Sequence, residues 1–113
     1  TIPTEFENLK NLEELDLSSN QIESIPIEFC NLIKIKWLDL EDNQFNSIPV
    51  KFEKLKDLNT LRLSGNKIDS MPTEICNLTQ LTVLELNNNE LKDIPIQIGK
   101  LSKLEVLFLA FNK

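Results

Sequence analysis

Residues Leu15–Pro26, LDLSSNQIESIP, decide the fold because the chain repeats them in altered form at a fixed interval. The pattern returns as LDLEDNQFNSIP (38–49), LRLSGNKIDSMP (61–72) and LELNNNELKDIP (84–95), each 23 residues after the one before. The apolar positions, one Asn and the Pro persist, while the residues between them change. A constant period without insertions predicts a chain of stacked, near-identical structural units.

Each unit is predicted to contain a short strand, a turn and a return segment. In Leu15-Asp16-Leu17 the period of two directs both leucines to one face of a strand and Asp16 to the other. The following Asn20 offers an amide acceptor and amide donors to the turn backbone. Pro26 fixes φ and can open a short helical turn. Strands this short cannot stand alone, so the units are predicted to pair in parallel and to bury their leucines against neighbouring units.

Composition and charge bound the class of protein. With 113 residues, 41% hydrophobic and 27% charged, the sequence is predicted to form one soluble domain over residues 1–113. No stretch approaches the roughly 18 apolar residues of a membrane helix, and no signal peptide is visible. The net charge of −6 disfavours binding to nucleic acid or to an anionic membrane and favours a protein partner with a basic surface.

The repeated unit Leu-x-x-Leu-x-x-Leu-x-Leu-x-x-Asn-x-Ile-x-x-Ile-Pro-x-x-Phe/Ile resembles the leucine-rich repeat over essentially the whole chain. Its return segment is most similar to the 23-residue repeats of Ras-group and Scribble-like intracellular proteins and of some bacteria, spirochaetes among them. The resemblance implies an α/β solenoid of about five repeats, a right-handed horseshoe segment with a concave parallel β-sheet and short helical or irregular convex segments. It also implies a scaffold for protein recognition.

Outward-facing strand residues of successive units are predicted to align in columns on the concave face. Neighbouring strands lie about 4.8 Å apart, so Asp16 and Asp39 bring like charges together, and Arg62 lies where it can neutralise them. Two interpretations stay open: a docking patch for Lys or Arg of a partner, or the solvated face of an acidic protein. The candidate partner-binding residues are Glu14, Asp16, Trp37, Asp39, Glu41, Asp42, Arg62, Glu85, Val106 and Phe108.

The single Trp, Trp37, is predicted to be exposed in one of these columns. Trp commonly anchors protein interfaces, and we favour this role over that of a surface aromatic that covers the strand backbone. Val106 and Phe108 would extend the apolar contact. A further repeat or a cap that covers Phe108 is the alternative explanation for that residue.

The sequence disfavours an enzyme. It has no His and no Tyr, so the usual base for a Ser or Cys nucleophile is absent, and so is any Cys/His metal cluster. Gly65 and Gly99 are isolated and cannot form a phosphate-binding loop. The concave carboxylates could serve as a glycosidase pair or a weak Ca²⁺ site, but they follow strand periodicity rather than loop geometry. We therefore expect no cofactor and no metal.

The two cysteines are predicted to remain free thiols. Cys30 and Cys76 are two full periods apart, at least about 10 Å by strand spacing, which exceeds the Cα separation of a disulfide. Because the same column holds Glu7, Glu53 and Gly99, the cysteines are expected near the surface. Unpaired cysteines mildly favour a reducing, intracellular compartment. The sequon Asn77-Leu78-Thr79 lies in a repeat column, so a structural role for Asn77 is favoured over glycosylation.

The terminal units carry the same apolar residues as the internal ones, whereas the ends of a stack need polar outer faces. Exposed core is therefore predicted at both ends, which favours a fragment of a longer, uncapped array or association through the ends. The residues concerned are Ile2, Phe6, Leu9, Leu107, Leu109 and Phe111.

Two functional hypotheses follow. The leading one is a non-enzymatic recognition module whose concave face binds a protein partner. The alternative is a structural or assembly module that associates through its uncapped ends while the concave face stays idle.

Overall fold

The computed structural model describes residues 2–113, which form five short parallel strands alternating with five short 3₁₀ helices. The strands are β1 (Glu14–Asp16), β2 (Trp37–Asp39), β3 (Thr60–Arg62), β4 (Val83–Glu85) and β5 (Val106–Phe108). The 3₁₀ helices span Thr4–Asn8, Ile27–Asn31, Val50–Lys54, Thr73–Asn77 and Ile96–Lys100. The strands lie in sequence order in one sheet, so the predicted stack of parallel units is confirmed.

Each 3₁₀ helix begins directly after a proline. Pro26 has a φ of −64°, and its carbonyl accepts the N–H of Phe29 at 3.0 Å, which closes the first turn. The proline ring fixes this φ. Proline lacks a backbone N–H, but at the start of a helix that group would have no partner within the helix, so its absence does not destabilise the turn. The predicted helical opening of the return segment is thereby confirmed.

The core lies between the sheet and the 3₁₀ helices. Leucines such as Leu38, Leu61 and Leu84 point inward from the strands and are fully buried. Phe29 and Phe52 project from successive helices, with ring centroids 6.4 Å apart. Burying one such side chain contributes roughly 1.5–3 kcal/mol, and every unit obtains this only against its neighbours.

An asparagine ladder fastens each unit to the one before it. The Asn66 amide nitrogen donates to the carbonyl of Leu63 in its own unit at 2.9 Å and to that of Leu40 in the preceding unit at 3.0 Å. Its amide oxygen accepts the N–H of Phe45 at 3.0 Å. Asn43, Asn89 and Asn112 repeat this geometry. The structural role predicted for this column is confirmed.

The residue before each ladder asparagine has a left-handed backbone. The five residues are Ser19, Asp42, Gly65, Asn88 and Phe111, with φ between 54° and 72°. At Gly65 an added Cβ would lie 2.2 Å from Oδ1 of Asp42, so the glycine also permits a close approach between neighbouring units.

The ends of the stack differ from each other. Ile2, predicted to be exposed, is buried because it packs into the same apolar cluster as Phe29 and Leu32. Leu9, Leu107 and Phe111 are exposed, as predicted, with Phe111 reaching 80%. Within residues 2–113, no helix has the length and apolar character required to cross a membrane.

Candidate functional site

Strand register places the candidate residues side by side on the sheet. Glu14 pairs with Trp37 and Asp16 with Asp39, and the same register continues through every later strand. The predicted columns are therefore confirmed as neighbours. One column contains Glu14, Trp37, Thr60, Val83 and Val106, and the other contains Asp16, Asp39, Arg62, Glu85 and Phe108. We call these ten residues, together with Glu41 and Asp42, the concave face.

Arg62 holds three carboxylates at the centre of this face. Its Nη1 lies 2.7 Å from Oδ2 of Asp39, and its Nη2 lies 2.8 Å from Oε1 of Glu41. Its Nε donates to Glu85 on the opposite side. The Arg62 side chain is 35% exposed, whereas the Asp39 side chain is only 5% exposed. Arg62 thus neutralises these acids, as its position in the sequence suggested.

Burial changes the acidity of Glu41. Its pKa is raised chiefly because the carboxylate is desolvated, against an opposing attraction from Arg62. Asp39 and Glu85 add repulsion in the same direction as burial. The hydrogen bond to Glu85 and the surrounding carboxylates raise the pKa of Arg62 further, so the guanidinium keeps its charge. The centre of the face is a fixed ionic cluster.

The remaining carboxylates of the concave face are exposed. Glu14, Asp16 and Asp42 lie outside the Arg62 cluster. Asp16 accepts the hydroxyl of Ser18 at 2.6 Å and its N–H at 2.9 Å, and these hydrogen bonds lower the pKa of Asp16. A partner cation can therefore reach Glu14, Asp16 and Asp42 directly, whereas Asp39 is covered by Arg62.

Apolar side chains accompany these acids. Trp37 is partly exposed and sits between Glu14 and Thr60 in the register of the sheet. Val106 is partly buried, and Phe108 is 47% exposed. The face thus changes from acidic beside β1 to apolar beside β5.

The cysteines correct one prediction and confirm another. Cys30 and Cys76 are free, but both are buried rather than close to the surface. Their column was misleading because Glu7 and Glu53 are long enough to carry their carboxylates outward to neighbouring asparagines, while a thiol is short. Burial raises the pKa of Cys30 to about 11 and raises the pKa of Cys76 in the same direction.

Asn77, the sequon residue, takes part in a chain of hydrogen bonds across three units. Its Nδ2 donates to Glu53 at 3.2 Å, and its Oδ1 accepts Nζ of Lys100 at 2.6 Å. Asn31 makes the equivalent bonds to Glu7 and Lys54. The structural interpretation of this column is supported. These Glu-Asn-Lys links were missed from sequence, although the 23-residue spacing of complementary side chains is visible there.

Among residues 2–113, no group of three or more Asp, Glu or Cys side chains is arranged to hold a metal ion. The acids of the concave face are instead occupied by Arg62 or separated along the strands. The arrangement suits recognition through charge and apolar contact.

The family follows from the sequence models that match this chain. A model described as a leucine-rich repeat region matches residues 27–112, and one described as a leucine rich repeat matches residues 3–45. The chain belongs to the leucine-rich repeat family. Proteins of this family are typically non-enzymatic interaction modules, and membership supports a role as a protein-interaction scaffold.

Solved structures agree with this assignment. A leucine-rich repeat protein of Leptospira interrogans is 44% identical, with a TM-score of 0.96, over 100% of this chain and 29% of its own. An internalin of Listeria monocytogenes is 32% identical, with a TM-score of 0.87, over 97% of this chain and 31% of its own. The ectodomain of the Arabidopsis thaliana receptor kinase GASSHO1/SCHENGEN3, in complex with Casparian strip integrity factor 2, is 35% identical, with a TM-score of 0.80, over 99% of this chain and 17% of its own.

The leucine-rich repeat horseshoe is thereby established for this chain, which spans less than a third of the length of each of these three structures. Among curated proteins, none matches the chain significantly.

Proposed function

We propose that the chain is a non-enzymatic recognition module whose concave face binds a protein partner with a basic surface. The observation that carries the proposal is the placement of Trp37 directly beside the exposed carboxylate of Glu14, with the exposed Asp16 two residues further along the same strand. An aromatic anchor with two available anions on the neighbouring strand suits a partner segment that presents Lys or Arg next to an apolar side chain.

Charge favours the same partner. The concave face has six carboxylates against one guanidinium, that of Arg62. An excess of this kind accelerates association with a basic protein and opposes association with an acidic one. The complex between GASSHO1/SCHENGEN3 and Casparian strip integrity factor 2 is consistent with protein or peptide recognition on this fold.

Binding of a labelled synthetic peptide of alternating Lys and Val residues tests the proposal. We expect Glu14→Lys/Asp16→Lys to weaken binding at least about fivefold, since two anions become cations, and Trp37→Ala to weaken it to a similar extent. The matched control is Glu23→Lys/Asp69→Lys, which changes the net charge equally at exposed positions outside the face. Equal losses in the two charge variants would mean that only the overall charge of the chain matters.

Assembly through exposed apolar residues is the second candidate. Leu107 and Phe108 are 39% and 47% exposed, and Phe111 lies in the same unit. Light scattering after size-exclusion chromatography distinguishes the two functions. If assembly is the function, Phe108→Ser/Phe111→Ser will reduce the oligomer size while Trp37→Ala will not.

A further inference from the structure

A second charged surface lies on the flank of the solenoid, apart from the concave face. The segments that run from the 3₁₀ helices into β2, β3, β4 and β5 enclose an open groove of about 770 Å³. Lys36, Lys56 and Lys103 line it together with the amide of Gln80, and Asp57 is the acidic residue of the lining. The groove is therefore basic in a chain whose net charge is −6.

The three ammonium groups remain available to a ligand. Lys103 Nζ donates to the neutral Oε1 of Gln80 at 2.8 Å, so it keeps its charge and further donors. Lys36 pairs with Glu13 at 2.8 Å, but the two side chains are 53% and 54% exposed, and such a pair exchanges readily with another anion. Within residues 2–113, the side chain of Lys56 makes no hydrogen bond or ion pair.

The spacing of the lysines suits an extended chain. They come from the second, third and fifth units, so they are spread over three steps of the stack. At about 4.8 Å per step this is roughly 14 Å, which four or five residues of extended peptide cover at about 3.3 Å each.

We propose that this flank groove binds an acidic, extended segment of a protein, with two or three carboxylates within about five residues. Separate carboxylates can reach individual lysines while avoiding Asp57, whereas a continuous phosphate backbone would lie against that carboxylate. The surface is independent of the proposed concave site, and it would let one module contact a basic and an acidic partner segment together.

The test uses the whole chain and a fluorescein-labelled peptide of alternating Asp and Gly residues at low ionic strength. Lys36→Gln/Lys56→Gln/Lys103→Gln is expected to weaken binding about tenfold or more, because three exposed pairs are lost. The matched control, Lys51→Gln/Lys67→Gln/Lys92→Gln, removes the same charge from exposed positions outside the groove and is expected to change binding less than about twofold.

Three outcomes would overturn the proposal: no binding of the peptide by the parent chain, equal weakening in both triple variants, or tighter binding of a single-stranded oligonucleotide of equal charge. Trp37→Ala should leave peptide binding unchanged. Because Trp37 belongs to the proposed concave site and not to the groove, this result would show that the acidic peptide binds independently of the concave site.

Discussion

Arg62 determines how the acids of the concave face affect stability. If the guanidinium of Arg62 were removed, the almost buried carboxylate of Asp39 would have no cation beside it. The carboxylates of Glu41 and Glu85 would then repel that of Asp39. We expect Arg62→Met to lower the free energy of unfolding by about 2 kcal/mol, less than for a fully buried pair because Arg62 is partly exposed.

Urea denaturation monitored by circular dichroism measures this change. Lys36→Met is the control, since its exposed pair with Glu13 should contribute less than about 0.5 kcal/mol. Recovery of stability in Arg62→Met/Asp39→Asn/Glu85→Gln would assign the loss to uncompensated charge. A stable Arg62→Met variant would show that the cluster contributes nothing.

The same substitution should have the opposite effect on recognition. Arg62→Met releases Glu41 and Glu85 from their internal cation, so the concave face becomes more negative. We expect the Lys-Val peptide to bind several times more tightly to this variant at low salt, with the gain shrinking as salt is added. Fluorescence anisotropy at two ionic strengths measures the change, and weaker binding would assign Arg62 itself to the contact surface.

The buried thiols predict a dependence of stability on pH. Cys30 has an ordinary pKa of 9.0 and a folded-state pKa of about 11, and the pKa of Cys76 is also raised. Between these values the unfolded chain has lost the thiol proton while the folded chain retains it. The thiol contribution to stability is therefore complete below about pH 9 and declines as the pH rises towards about 11.

Comparison with Cys30→Ala/Cys76→Ala isolates this effect, since lysines titrate alike in both proteins. We expect the parent chain to lose stability faster than the double variant over this pH interval. Parallel stability curves would indicate that the thiols titrate normally in the folded chain.

At the scale of the structural element, the ladder asparagine provides the sharpest comparison. Asn66→Ala leaves the N–H of Phe45 and the carbonyls of Leu40 and Leu63 without this partner in a buried turn. We expect a loss of about 3 kcal/mol. Asn20→Ala is the control, because Asn20 is exposed and binds only carbonyls of its own unit, Leu17 and Ser18, so its loss should stay below about 1 kcal/mol. Equal losses of stability in the two variants would show that hydrogen bonds between units stabilise the fold no more than those within a unit.

The regular spacing of the strands and 3₁₀ helices explains which features could be predicted from the sequence. A period of 23 residues determines register, so the strand columns, the Asn ladder and the position of Arg62 follow from counting. Side-chain length does not follow from counting. For that reason the sequence did not predict that Cys30 is buried. It also could not predict that Asp39 is covered while Asp16 is exposed, because this depends on how far the guanidinium nitrogens of Arg62 reach.

At the scale of the whole molecule, the stack should tolerate removal of a complete unit better than removal of part of one. Deleting residues 51–73 keeps every later residue in its column and removes one strand and one return segment. Deleting residues 51–62 removes fewer residues but leaves a unit without its helix or β3. We expect the first deletion to unfold cooperatively with a urea slope lower by about a fifth, because less surface is buried.

The second deletion is expected to be the less stable of the two, since its remaining apolar residues have no complete unit to pack against. Urea curves of the two deletions and the parent chain provide the measurement. A half-unit deletion as stable as the whole-unit deletion would show that the units do not behave as nearest-neighbour modules.

The direction of the asparagine ladder has a consequence for synthesis. From Asn43 onward the ladder amides bond backward, so the turn that contains Phe45 is completed by Asn66, 21 residues later in the chain. During translation a coil therefore closes only after the next one has left the ribosome. Assembly should proceed from the amino-terminal side, with one unfinished coil always at the growing tip.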